Sequence, residues 1–302
     1  MNKGAAIKTI LIPIDFSETS MLALDHATHL AKIEDSKVIL IHVLKAGSYA
    51  NILPSLTNNN GNAELRDQIS AKMNAVGSEF KSKTGVDYEI VLAEGNVASQ
   101  VVDTAKDLEV DLIMMGTHGV SGFQEFFMGS NAYRVVTSAM CPVLSVQSHT
   151  KEFGAKRILL PLDSSKNTRD KVKEATTMAK AFDAEVLIKA MITPNHAEEK
   201  SIFNLKVQQT EEHFDHVGVK HSSEFIYGDD IAEMTLEAAK KDNADLIVIM
   251  TEQESSTGLF MGQYAQRIVN HSRIPVLSVT PLGIIEAFGQ ANLAGSYKPF
   301  GL

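Results

Sequence analysis

Lys8-Thr9-Ile10-Leu11-Ile12-Pro13-Ile14-Asp15 and Lys156-Arg157-Ile158-Leu159-Leu160-Pro161-Leu162-Asp163 are one pattern written twice. Each is a short apolar run closed by an aspartate, the signature of a strand buried on both faces of a parallel sheet. Outward from the first run, Ser17 is placed to cap a helix whose apolar positions Met21, Leu22, Leu24, Ala27, Leu30 and Ala31 recur at helical spacing. A second strand follows over 37–44. A segment rich in Gly, Ser and Asn (47–62) then leads to a helix from about Ala63 to Lys83 and a strand from Asp87 to Leu92. Helices over 97–107 and 130–138 alternate with the strands Asp111-Leu112-Ile113-Met114-Met115 and Pro142-Val143-Leu144-Ser145-Val146. Strands alternating with helices predict a mostly parallel five-stranded sheet covered on both faces by right-handed crossovers.

The landmarks repeat beyond the first strand. Ala244-Asp245-Leu246-Ile247-Val248-Ile249 echoes Val110-Asp111-Leu112-Ile113-Met114-Met115, and Met261-Gly262-Gln263-Tyr264-Ala265-Gln266-Arg267 echoes Met128-Gly129-Ser130-Asn131-Ala132-Tyr133-Arg134. This is an internal duplication, and 302 residues are enough for two hydrophobic cores. We expect one α/β domain over 1–150, a second over 151–281, and a tail over 282–302 that matches neither copy.

In open parallel sheets a ligand binds beyond the carboxyl ends of the strands, where the strand order reverses. The loop there in the first copy runs from Gly116 through His118, Gly119, Val120, Ser121 and Gly122 to Gly129 and Ser130, with the spacing G-x2-G-x9-G-S before a helix. Gly116 and Gly119 admit close approach of backbone to a ligand, and Gly129 with Ser130 offers free N–H groups to an anion. One helix terminus contributes about 0.3–2 kcal/mol to holding a phosphate. Micromolar affinity needs about 8 kcal/mol, so the whole loop and a buried base have to act together. The alternative is that these glycines only make a tight turn and a helix cap.

With that spacing after the fourth strand, and Asp15 at the end of the first, the chain resembles the universal stress protein family over about residues 7–147 and again over 156–280. The resemblance implies two tandem Rossmann-like domains of the adenine nucleotide alpha hydrolase-like kind, and binding of ATP with its Mg²⁺. It also implies a cofactor-binding set. Pro13, Ile14 and Asp15 would border adenine and ribose, and backbone near His42 and Val43 would read the adenine edge. Met115, Gly116, His118 and Gly119 would line the ribose and phosphate path, and Gly129, Ser130 and Asn131 would hold the phosphates. In the second copy Met250 and Gln253 replace Gly116 and Gly119, Gln263 replaces Ser130, and the loop is one residue shorter. Bulky side chains are expected to project into the phosphate path there, so ATP is expected in the first copy only.

Other features narrow the function class. The formal net charge is −9, which gives no long-range attraction to nucleic acid or to an anionic membrane. No run approaches the ~18 apolar residues of a membrane span, and the single cysteine, Cys141, fits a reducing, cytoplasmic setting. Its place before Pro142 suggests packing and not redox work. Neither a G-x4-G-K-[ST] lysine nor a positioned base is present, so hydrolysis is expected to be slow at most. His118 could meet a phosphate or be solvated; Asp15 and Asp163 could orient a ribose or simply cap helices. The last strands, Val143–Val146 and Val276–Val279, read as sheet edges through which the copies pair within a chain, a homodimer forms, or a nucleotide-independent partner docks.

Overall fold

The computed structural model describes residues 7–44, 59–117, 128–147, 154–251, 262–281 and 283. The first copy consists of β1 (Thr9–Pro13), α1 (Glu18–Glu34), β2 (Lys37–Leu44), α2 (Asn59–Thr84), β3 (Tyr88–Glu94), α3 (Val97–Asp107), β4 (Leu112–Gly116), α4 (Ser130–Ser138) and β5 (Val143–Val146). The second consists of β6 (Arg157–Leu162), α5 (Val172–Phe182), β7 (Glu185–Ile192), a 3-10 turn (Pro194–Glu199), α6 (Lys200–Val217), β8 (His221–Tyr227), α7 (Ile231–Lys241), β9 (Leu246–Met250), α8 (Gln263–His271) and β10 (Val276–Val279).

All ten strands lie in one sheet, ordered β3-β2-β1-β4-β5-β10-β9-β6-β7-β8. Each copy contributes five parallel strands. They join where β5 and β10 run antiparallel, with Val276 opposite Ser145, Leu277 opposite Leu144 and Ser278 opposite Val143. The last strands are therefore central and not at an edge. Both are buried along their whole length, whereas the true edges, β3 and β8, are only half-buried and carry exposed Glu89, Glu94, Ser223 and Glu224. Charge and exposure mark an edge that resists further pairing.

Side-chain alternation assigns the helices to faces. Ile10, Ile12 and Ile14 pack with Ala23, Leu24, Ala27 and Leu30 of α1, and the same layer continues through Leu144 and Leu277 into α5 and α6. Leu11, Ile39 and Ile113 face the opposite way, onto α3 and α4, in a layer that continues through Val143 and Val276 to α7 and α8. On the first face α1 meets α5 across the seam, where the rings of His29 and Phe182 stack 6.3 Å apart.

Two boundaries differ by more than one residue from the pattern in the sequence. Helix α2 begins at Asn59, ahead of the expected Ala63, because the ~1 kcal/mol cost of one glycine is small beside the propagation of a long helix. Strand β3 continues to Glu94, since its pairing with β2 runs on to Leu44 opposite Glu94. Among the described residues no helix is long and apolar enough to cross a membrane.

Candidate functional site

β1 pairs with β2 on one side and β4 on the other, so the order reverses beside β1 and a crevice opens beyond the carboxyl ends of β1 and β4. The rim on the β1 side is tightly built. Ile14 is buried, and its N–H donates to the Ile41 carbonyl at 2.8 Å. The Ile14 carbonyl accepts from His42 Nδ1 at 2.7 Å, and the His42 ring lies 5.1 Å from that of Phe16. This brings Ile14, Asp15, His42 and Val43 together. Phe16 takes a left-handed conformation at φ 64°, which for a bulky residue costs about 1–3 kcal/mol and is held by its surroundings.

Asp15 is exposed, and its Oδ1 accepts from the Ser17 N–H at 3.0 Å and from the Ser17 hydroxyl at 2.5 Å. Ser17 in turn accepts from the Ser20 N–H at 3.2 Å and caps α1. The carboxylate thus braces the turn at the crevice mouth, and the capping itself belongs to Ser17.

On the β4 side, Met115 turns its side chain into the core on the α3 and α4 face and is buried. The Thr117 N–H donates to the Val146 carbonyl at 3.0 Å, and the Gly129 N–H donates to the Thr117 carbonyl at 2.8 Å, which closes the base of the glycine loop. His118 and Gly119 lie outside the described residues. Gly129 is the N-cap of α4, among the described residues no side chain caps that helix, and its first turn carries no acidic residue. The N–H groups that open α4, at Ser130 and Asn131, therefore have no intrahelical acceptor, and the positive end of the dipole is uncompensated. By contrast α1, α3 and α7 are capped by Ser17, Asn96 and Asp230, while α8 opens like α4, on Gly262 with no side-chain cap.

Gly116 has a further reason to be glycine. A Cβ there would stand 2.8 Å from the Thr19 carbonyl group at the start of α1. In the second copy Met250 takes that place, and α5 starts nine residues after Asp163 where α1 starts three after Asp15. The Met250 side chain is buried in the core on the α5 face. The expectation that it projects into a phosphate path is corrected: its bulk occupies the layer beneath the shortened helix. Gln253 lies outside the described residues.

The turn after β6 is bound by lysine. Lys206 Nζ, from α6, donates to the carbonyls of Asp163, Ser164 and Ser165 at 3.1, 2.8 and 2.9 Å. Lys171 is 3% exposed and donates to Thr168 Oγ1 at 3.3 Å. Burial pushes the Lys171 ammonium down to about 8, opposed by the nearby Asp163 and Asp170 carboxylates. Burial also lowers Lys206, again against the pull of Asp163. Motif reading missed both lysines, although Lys171 falls on the helical stripe of buried Ala175, Met178 and Phe182, where an apolar residue is expected.

Away from both crevices, a cavity of about 260 Å³ opens at the seam between Ile7, Val110 and Met140 on one side and Met178, Leu277 and Val279 on the other. It adjoins the amino ends of β1 and β4. Cys141 lines it, and burial pushes its thiol up to about 12, so no reactive thiolate forms near neutral pH. Among the described residues no cluster of His, Cys, Asp and Glu could hold a metal ion by itself.

Comparison with known proteins agrees with this architecture. The sequence model of the universal stress protein family matches residues 6–147 and again residues 154–280. The universal stress protein MJ0531 of Methanocaldococcus jannaschii is 36% identical over 152 residues, covering 48% of this chain and 85% of that one. The universal stress protein YxiE of Bacillus subtilis is 32% identical over 146 residues, covering 46% of this chain and 97% of that one. A solved universal stress protein from Archaeoglobus fulgidus superposes with a TM-score of 0.72 over 93% of this chain and 99% of that one, at 17% identity, which speaks to the fold alone. With the family pattern matched twice and each match carrying its own five-stranded half of the sheet, the chain belongs to the universal stress protein family and holds two of its domains in tandem.

Proposed function

We propose that the first domain (1–150) binds ATP with its Mg²⁺ and that the second (151–281) is a nucleotide-free scaffold, the whole acting as a cytoplasmic regulator in a stress response. The observation that carries the reading is the uncapped, glycine-led start of α4 beside the ends of β1 and β4, where Gly116 leaves backbone open, since an anion gains both free N–H donors and the dipole there; α8 opens the same way on Gly262, but beside Met250 and a turn after β6 bound by Lys206. The adenine and ribose would lie along Pro13, Ile14, Asp15 and the backbone of His42 and Val43. The phosphates would follow Gly116, His118 and Gly119 to Gly129, Ser130 and Asn131. Mg²⁺ arrives on the phosphates and keeps most of its waters, and Asp15 and Ser130 supply hard oxygen donors within this rim. The loop sequence lacks the lysine of G-x4-G-K-[ST], so turnover is expected to be slow and the protein to read occupancy more than it consumes ligand.

The rival reading, a homodimer or partner docking through the last strands, is supported less well. Val143–Val146 and Val276–Val279 already satisfy each other within one chain, so a second chain has to use another surface.

The deciding experiment is calorimetric titration of the whole chain with Mg-ATP, beside Ser130→Asp. Ser130 is exposed at the first turn of α4. A carboxylate there favours the helix dipole by about 0.3–1 kcal/mol while repelling phosphate. One site per chain in the parent, weakened at least tenfold in an equally stable variant, is the expected outcome. Absence of binding by the parent would sink the nucleotide reading.

A further inference from the structure

We infer that Asn270, on α8 of the second domain, is a positioning residue for the phosphate loop of the first. This inference rests on the nucleotide reading above and says how the scaffold domain serves it.

The Met128 N–H, one residue before the Gly129 cap, donates to Asn270 Oδ1 at 2.8 Å across the seam. Around it runs a closed circuit of hydrogen bonds. The Thr117 N–H donates to the Val146 carbonyl and the Gly129 N–H to the Thr117 carbonyl. Gln147, next to Val146 and buried, donates through Nε2 to the Val269 carbonyl of α8 at 2.5 Å. The last turn of α8 thereby holds both ends of the loop, the start through Val146 and Gln147 and the finish through Met128.

The arrangement is one-sided. Thr137 stands on α4 where Asn270 stands on α8, and its hydroxyl is spent on the Tyr133 and Arg134 carbonyls of its own helix. A threonine at that place does not reach across, and the asparagine does. The domain that lost its own glycine loop is thus the one that anchors its neighbour's.

Binding that depends on the loop base must then couple to α8 in both directions. A ligand that orders Met128–Ser130 tightens the grip on Asn270, and a change on α8 is felt as altered affinity. A single-domain relative has no α8 within its own chain to supply this contact.

The test uses the full chain and two readouts: hydrogen exchange of the peptide containing Met128 without ligand, and calorimetric affinity for Mg-ATP. Asn270→Ala is expected to speed exchange there and to weaken Mg-ATP about three- to tenfold, the scale of one hydrogen bond. Asn270→Asp keeps an acceptor oxygen and should restore the protection from exchange. Thr280→Val is the control for a merely structural seam contact, because Thr280 Oγ1 donates to the Ala139 carbonyl at 2.9 Å, away from the loop. It should lower the unfolding midpoint and leave both readouts unchanged. Unchanged exchange in Asn270→Ala overturns the clamp, and faster exchange with unchanged affinity overturns its positioning role. A parent protein that binds no Mg-ATP overturns the nucleotide reading and that role together, while the exchange arm still decides the clamp.

Discussion

Asp111 and Asp245 occupy matching places in the two domains and do the same work: Asp111 Oδ2 accepts from the N–H groups of Lys8 and Thr9 at 2.8 and 3.0 Å, and Asp245 Oδ2 from those of Lys156 and Arg157 at 2.8 and 2.9 Å. Left-handed residues repeat as well, at Asp35 and Asp183 and at Glu109 and Asn243. Phe16 has no such twin, and around it the copies differ in an exposed Asp15 against a buried Asp163, Gly116 against Met250, and an early α1 against a late α5, although the Asp15–Ser17 brace recurs as Asp163–Ser165. The copies agree closely at the amino ends of their strands, whereas at the carboxyl ends they keep the Thr117–Gly129 closure, matched by Thr251–Gly262, and change the side chains around it. Framework is kept where it fixes register, and the divergence at the carboxyl ends falls where a ligand would bind.

The largest effects are expected where the second domain has rebuilt that end. Met250→Ala removes a side chain that is 2% exposed, and the loss should be about 2–5 kcal/mol by urea unfolding. If stability barely changes, Met250 is not the wedge that separates the two crevices.

The buried lysines at the turn after β6 give a pH signature. With Lys171 at about 8 when folded and 10.5 as the ordinary lysine value, the unfolded chain binds more protons between those limits. Stability therefore rises with pH across that window, by an amount on the order of 3 kcal/mol from Lys171. Lys206 shifts in the same direction, so Lys171→Met should flatten the rise without abolishing it. A profile equally steep in the variant would mean that the ammonium is solvated.

In the first domain the matching test is Gly116→Ala. A Cβ at 2.8 Å from backbone at Thr19 forces α1 to shift, at a cost of about 1–3 kcal/mol. Should the variant unfold like the parent, crowding by α1 is not what requires glycine, and only a ligand's approach would remain as its reason.

How much of this was legible beforehand follows from which interactions are local. The β1 and β6 runs, the helix spans of α3 and α4, the duplication and the crevice at β1 and β4 all come from periodicity and spacing, which the chain carries residue by residue. For β5 and β10 the sequence marks the pairing strands and leaves open whether the partner is the other copy or a second chain, because Val-Leu-Ser-Val read in isolation specifies burial on both faces but not the neighbour; the two pair with each other within the chain. Lys206 closes a turn some forty residues away, and Asn270 reaches Met128 across more than a hundred. Contacts of that range leave no period in the sequence. The loop spacing explains Gly116 by a ligand's approach, while its crowding by Thr19 follows only once α1 is in place.

The smallest expected effect concerns a difference away from the crevices. Asn96 caps α3 and Asp230 caps α7 at matching positions, but only Asp230 also meets an arginine, Arg267 of α8. The Arg267 hydrogen bond holds the Asp230 carboxyl below the ordinary value of 3.8, with the Glu233 and Ala232 N–H groups helping. Its contribution is therefore present above that value and is lost as pH falls through the lower folded one. Asp230→Asn keeps the cap, since asparagine and aspartate are about equal there, and deletes only the ion pair. Both partners are substantially exposed, so the cost should be about 0.2–1 kcal/mol and should shrink with added salt. A larger, salt-insensitive loss would show that the α7–α8 contact is held by charge, and that the second domain compensates for its altered crevice with an anchor the first domain lacks.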